Sequence, residues 1–254
     1  MFILDPNPVA FSIFQFDIRW YGLFAAIMAL AGYYLAPYLA RKRFGDKREY
    51  IYQNAILISA ISGIIGARIF HVILEWERYS GNIGGMMAVW TGGLSFHGGL
   101  LFGLLSLIIY ARIVKVPFQQ ITDVIVIPFA LALSIGRIGN IMNSEILGRA
   151  CDSCLFSFTF AVDGVERYPV QAVSMLKNLA VAFISYTLLM RTKTAGFSSA
   201  AFLLSYSVFR FFVEFIRNEP YVFWYISLGQ IVTLPIIIVS AVWLWRLIRL
   251  ENAK

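Results

Sequence analysis

Seven apolar segments, each about as long as a bilayer is thick, run through the 254-residue chain. They fall at 18–40, 51–74, 92–114, 121–138, 172–190, 197–217 and 226–248. In hydrocarbon every backbone N–H and C=O must find a partner within the protein, so apolar runs of this length are helices. The fold class that follows is an all-α integral membrane protein with seven transmembrane helices. Composition agrees: 59% of residues are hydrophobic and only 14% charged, against about a quarter charged in soluble domains. The fourth segment is the shortest, and Pro128 within it is expected to kink it.

Arg41, Lys42, Arg43, Lys47 and Arg48 crowd the first loop. Arg112 and Lys115 follow the third segment, Arg191 and Lys193 the fifth, and Arg246, Arg249 and Lys254 the seventh. All lie on one side, which the positive-inside rule assigns to the cytoplasm, with the N-terminus outside and the C-terminus inside. The formal net charge of +7 is therefore topogenic, and no nucleic-acid partner is expected. Trp20, Tyr21, Trp76, Trp90, Trp224, Tyr225 and Trp245 sit near segment ends, as interfacial anchors do. The start, with Asp5-Pro6-Asn7-Pro8, lacks a basic n-region, so no cleaved signal peptide is expected. The chain reads as a single domain, 1–254. Its one long connection, 141–170, is an outer-face loop region in which Asp163-Gly164, flanked by the alternating run Phe156 to Val162, predicts a small hairpin.

Polar groups cluster where the fourth segment ends, in the stretch Gly136 to Arg149. If the helix continues, Arg137, Asn140, Ser144 and Gly148 share a face, with Asn143 and Glu145 at its edges. Arg210, Glu214 and Arg217 recur at helical spacing in the sixth segment. One reading of Arg210 and Glu214 is a plain internal ion pair. With Arg137 at the same depth, however, positive charge exceeds what Glu214 neutralises, and guanidinium forks suit a phosphate. His97 is the neutral-range base among these outer-face groups; a hydrogen-bonded structural histidine is the alternative. His71, between Arg68 and Glu75, reads as part of a structural polar face. Two histidines in separate spans give no metal site. Cys151 and Cys154 read as a loop staple or two idle thiols.

The stretch Gly136 to Gly148 fits GRxGNxxNxExxG, which resembles the signature of the bacterial prolipoprotein diacylglyceryl transferase family. Further matches are Arg19-Trp20-Tyr21-Gly22, Gly66-Ala67-Arg68, the run Gly92 to Leu100, Pro169 with Gln171, and Phe209-Arg210 with Val213-Glu214-Phe215. The resemblance implies a multi-pass enzyme of the bacterial cytoplasmic membrane with its active site toward the outer face. Such an enzyme moves the sn-1,2-diacylglyceryl group of phosphatidylglycerol to the lipobox cysteine of a prolipoprotein signal peptide. A thioether forms, glycerol phosphate leaves, and no cofactor is used.

Carried over residue by residue, the resemblance makes His97, Arg137, Arg210, Glu214 and Tyr21 the candidate catalytic groups. The candidate phosphatidylglycerol-binding set is Arg137, Arg210, Asn140, Asn143, Glu145, Gly148, Arg68, Gly98, Gly99 and Gln171. A free thiol, with a pKa near 8.5, needs a base at neutral pH, and His97 is the natural one. Gly98 and Gly99 would let a lipid chain or peptide backbone come close. One departure stands out: the family commonly continues Pro-x-Gln with Leu-Tyr-Glu, whereas Gln171 is followed by Ala172-Val173-Ser174. Two other functions therefore stay open, a diverged paralogue with the same donor and another acceptor, and a lipid transporter or flippase. A transporter predicts repeat symmetry or broken spans in matching halves, and neither is visible in the sequence.

Overall fold

The computed structural model describes residues 2–14, 16–151 and 154–253; the C-terminal Lys254 lies outside them. Seven helices among these residues are long and apolar enough to cross a membrane. In chain order the helices are α1 (Trp20–Phe44), α2 (Glu49–Leu74), the short α3 (Trp76–Tyr79) and α4 (Ile83–Met87), α5 (Phe96–Val114), α6 (Phe118–Met142), α7 (Val170–Arg191), α8 (Phe197–Val213) and α9 (Leu228–Asn252). The protein is a multi-pass membrane protein. α6 is longer than the apolar run implied and passes unbroken through Pro128.

Among the described residues three small sheets accompany the helices. β1 (Phe2–Leu4) pairs in parallel with β4 (Phe158–Phe160), which pairs antiparallel with β5 (Glu166–Arg167). β2 (Val9–Ile13) and β3 (Phe16–Arg19) form one hairpin, and β6 (Tyr221–Phe223) and β7 (Ile226–Ser227) another. The β4–β5 hairpin is the one expected from Asp163-Gly164, and Gly164 takes the positive φ of 64° that the turn needs.

The chain packs as two compact units, residues 32–121 and residues 1–31 with 122–254; the divisions fall within α1 and α6. In the 32–121 unit, α2 and α5 lie backbone to backbone. A Cβ on Gly66 would come within 2.6 Å of the Gly98 carbonyl oxygen; Gly63 faces Gly99, and Gly103 faces the Ser59 carbonyl oxygen. Small residues at such a seam permit dispersion and Cα–H···O contacts that bulkier side chains would prevent.

In the other unit α6, α7 and α8 share a core of Ala130, Val181, Ala182 and Phe202, with Phe129, Tyr206 and Phe209 packed around it. Ser134 Oγ donates to the Met175 carbonyl at 3.0 Å, tying α6 to α7. The start of α8 is fixed from both sides. Buried Asp123 of α6 accepts from the backbone N–H of Gly196 at 2.6 Å and of Ser199 at 2.8 Å, supplying the carboxylate that a helix N-terminus favours. Glu251 of α9 accepts from the N–H groups of Lys193 and Thr194. These anchors set the position of α8, whose far end carries Arg210 and leads into Glu214.

Candidate functional site

Within the unit formed by 1–31 and 122–254, α6 presents Arg137 and Asn140 and then stops at Met142. The expected continuation to Gly148 does not occur, since Ser144 and Ile146 take φ values of 52° and 55°. Local polar groups draw the chain out of the helix. The Glu145 N–H bonds the Asn140 carbonyl at 2.8 Å, and its carboxylate accepts from the side-chain amides of Asn140 and Asn143, both at 3.3 Å. Arg137 Nη1 donates to Asn140 Oδ1 at 3.1 Å, so the Asn140 amide links a guanidinium to a carboxylate. Gln171, fully buried at the start of α7, donates to the Glu145 carbonyl at 3.0 Å.

Gly148 therefore lies in the loop, bridged to Arg217 and pressed so closely on the Tyr168 carbonyl that a Cβ would overlap it. Arg167 donates to the Gly148 carbonyl at 3.0 Å and pairs with Asp163 at 2.6 Å. The Val165 backbone N–H and the Arg167 guanidinium hold the Asp163 carboxyl below the usual carboxylate range. Arg149 stacks 4.0 Å over the Tyr221 ring. Cys151 and Cys154 are joined as a disulfide, the staple reading of that pair.

The second half of the site is built on Glu214, where α8 gives way to a 3₁₀ turn. Only 3% of Glu214 is exposed, yet it sits among cations: Arg217 at 3.0 Å and Arg210 at 3.9 Å. Ser227 Oγ adds a hydrogen bond at 3.2 Å. Arg217 is further engaged with Glu219 at 2.8 Å. The Arg210 guanidinium makes no hydrogen bond to any described residue, and Arg137 has a buried Nε without a partner. Both arginines thus keep donors in reserve. Tyr21, 46% exposed, packs its ring on Gly139, where a Cβ would lie 2.6 Å from Cδ2.

In the 32–121 unit Arg68 presents the opposite case. It donates to the carbonyls of Met86 at 3.0 Å, Gly85 at 2.6 Å and Gly93 at 3.0 Å, and also to that of Gly92. Its guanidinium donors are spent on fastening the loop between α2 and α5. His71 contacts the Tyr79 hydroxyl at 3.3 Å and Glu75 at 3.7 Å, a polar face of the kind its neighbours suggested. His97 stands in the first turn of α5, exposed, with Phe96 edge-on beside it and no hydrogen bond from its ring to any described residue. The backbone that approaches Gly98 and Gly99 is that of α2.

Residues 8–246 match the family described as prolipoprotein diacylglyceryl transferase. The chain belongs to that family. A relative from Clostridium botulinum (strain Langeland), named phosphatidylglycerol–prolipoprotein diacylglyceryl transferase, is 33% identical over 97% of this chain and 99% of its own. Relatives of the same name from Pasteurella multocida and Finegoldia magna are 35% and 30% identical, covering 93% and 92% of this chain and 90% and 93% of their own lengths.

Beyond the signature of the prolipoprotein diacylglyceryl transferases, sequence reasoning missed Lys177 and Tyr206. The Lys177 ammonium lies 3.8 Å from the centroid of the Tyr206 ring, within electrostatic reach of Arg137, Arg210, Arg217 and Glu214. The signal was present: Lys177 is the one charged residue between Val170 and Met190. A lone charge at mid-span marks a functional position by default.

Proposed function

We propose that this protein transfers the sn-1,2-diacylglyceryl group of phosphatidylglycerol to the cysteine thiol of a prolipoprotein lipobox, at the outer face of the bacterial cytoplasmic membrane. The observation that carries the reading is the reserve of donors on Arg137 and Arg210. Arginines serving only as counter-charges would spend their N–H groups on protein acceptors, as Arg68 does. Family membership and the relatives' shared name support the choice of donor and acceptor.

In this reaction the cysteine sulfur attacks the glyceryl carbon that carries the phosphate. The carbon–oxygen bond breaks, its electron pair stays on the phosphate oxygen, and glycerol phosphate leaves with one more negative charge than the phosphodiester held. Arg137 and Arg210 meet that growing charge, which is worth more in a water-poor site than in solution. Asn140, with Asn143 and Glu145 behind it, holds Arg137 in orientation, and Glu214 holds Arg210 and Arg217. His97 takes the thiol proton, with its unengaged ring available for the task. Tyr21, packed on Gly139, is the next candidate for that proton. The bilayer delivers the donor, and the N-terminus and the 141–170 loop face outward.

Purified protein in vesicles with labelled phosphatidylglycerol and a lipobox peptide tests the proposal. Label should pass to the cysteine peptide and not to its serine counterpart. A folded preparation that moves no diacylglyceryl group from phosphatidylglycerol would overturn it. Ala172-Val173-Ser174, where the family commonly has Leu-Tyr-Glu, favours a second reading with the same donor and another acceptor. Donor turnover on a different thiol or hydroxyl, with the lipobox peptide inert, would establish that alternative. Reporter fusions check the orientation, since cytoplasmic activity from a fusion in 141–170 would reverse it.

A further inference from the structure

We propose that Lys177 is a third phosphate ligand, its buried ammonium poised beside Tyr206 to bind the same phosphate group as Arg137 and Arg210. The inference rests on the reading of those two arginines as phosphate binders.

Lys177 is 9% exposed, and its Nζ is sealed from solvent without a hydrogen-bond partner among the described residues. The ammonium lies against the face of Tyr206, itself stacked on Phe202 at 5.7 Å, so it rests on a ring that cannot easily turn away. A ring face offers one attractive surface but no lone pair for three N–H donors. On its own helix, Ser174 one turn earlier brings no charge. Of the charges acting on Lys177, Arg137, Arg210 and Arg217 repel it. Glu214 attracts it but already serves Arg217, Arg210 and Ser227.

Arg217 is spent on Glu214 and Glu219, whereas Lys177 Nζ and Arg137 Nε are buried without a hydrogen-bond partner among the described residues and Arg210 reaches Glu214 only at 3.9 Å, an arrangement that lacks an anion. Its chemistry specifies the class: a compact, doubly charged oxyanion matches one ammonium plus two forked guanidinium groups. A phosphodiester headgroup and a phosphate monoester both fit, and the monoester's second charge fits better. A cation held in place without a ground-state partner is suited to charge that develops during reaction.

Lys177→Met, with Lys177→Gln as the second variant should the first not fold, separates this role from a structural one. Binding of sn-glycerol 1-phosphate, inorganic phosphate and phosphatidylglycerol nanodiscs is measured directly, alongside the melting temperature without ligand. Removing an unpaired buried charge should leave the unliganded protein as stable as before or more so. Affinity for a phosphate-bearing probe should fall about tenfold to a hundredfold, the loss of one charged hydrogen bond. A loss confined to the lipid assigns Lys177 to the headgroup; one confined to the soluble phosphates assigns it to the released product; both support the proposal. Unchanged affinity for all three probes overturns it, whatever the melting temperature, and a lower melting temperature alongside makes Lys177 a structural partner of Tyr206. Wild-type phosphate binding without transfer to a lipobox peptide would instead refute the proposed reaction and leave the Lys177 result standing on its own.

Discussion

Gly229 makes room for the carboxylate of Glu214: a Cβ at position 229 would overlap Glu214 Oε1. The glycine stands at the start of α9, between the Ser227 and Gln230 side chains that form a capping box. The same turn therefore caps a helix and leaves a niche for the carboxylate. Gly229→Ala should push Glu214 off Arg217 and Arg210, with an overpacking cost of about 1–3 kcal/mol. Thermal unfolding and transfer activity should both fall. Gly136→Ala is the control, because a Cβ there meets nothing within 4 Å and alanine favours a helix. Equal behaviour of the two variants would show that the niche is immaterial.

The Asn140 amide supports a charge-reversal test. Asn140→Asp replaces the N–H donor facing Glu145 with a second carboxylate oxygen, so activity should drop sharply. Adding Glu145→Gln restores one donor and one acceptor across that contact, while the carboxylate introduced at position 140 still accepts from Arg137. The double variant should recover activity relative to Asn140→Asp alone. Without such recovery in a folded double variant, the three residues do not act as a connected set.

Seven spans were legible because hydrocarbon imposes one rule on every residue of a segment, and the β4–β5 hairpin because Asp163-Gly164 is a local turn signal. The end of α6 was not. No proline or glycine marks Met142, and the stop comes from Glu145 reaching back to Asn140. The parallel pairing of β1 with β4 joins segments more than 150 residues apart, a relation no local pattern carries. Gly98 and Gly99 read as room for a lipid chain or a peptide, and the backbone that lies against them is that of α2, which residue type alone does not reveal. Lys177 was visible as a charge, and only its burial against Tyr206 without a hydrogen-bond partner among the described residues gives it meaning.

Arg137→Lys and Arg210→Lys should each slow transfer by about two to three orders of magnitude although the charge is kept. An ammonium offers a point charge where the site has a planar fork, and its shorter reach loses the geometry as the leaving group becomes charged. Single-turnover rates with saturating donor are the measurement. Near-normal rates in both variants would return the arginines to the role of counter-charges for Glu145 and Glu214.

His97→Gln tests the base directly, because glutamine keeps similar bulk and hydrogen bonding but cannot take a proton. Thioether formation at neutral pH should fall to a small fraction of the wild-type rate. If His97 serves mainly to supply thiolate, solvent hydroxide can replace it, and activity of the variant should rise with pH through the free-thiol pKa of about 8.5. The sign is distinctive. A histidine that oriented phosphate would leave a variant that alkaline pH does not rescue, since the lost contact is not a proton acceptor. The structure makes the test clean, because the His97 ring has no hydrogen bond to any described residue and its loss strands no buried partner. A wild-type rate in His97→Gln would remove the residue from the mechanism. A dead variant without rescue would keep it essential and move the proton to Tyr21 or Glu145, to be replaced by Phe and Gln in turn.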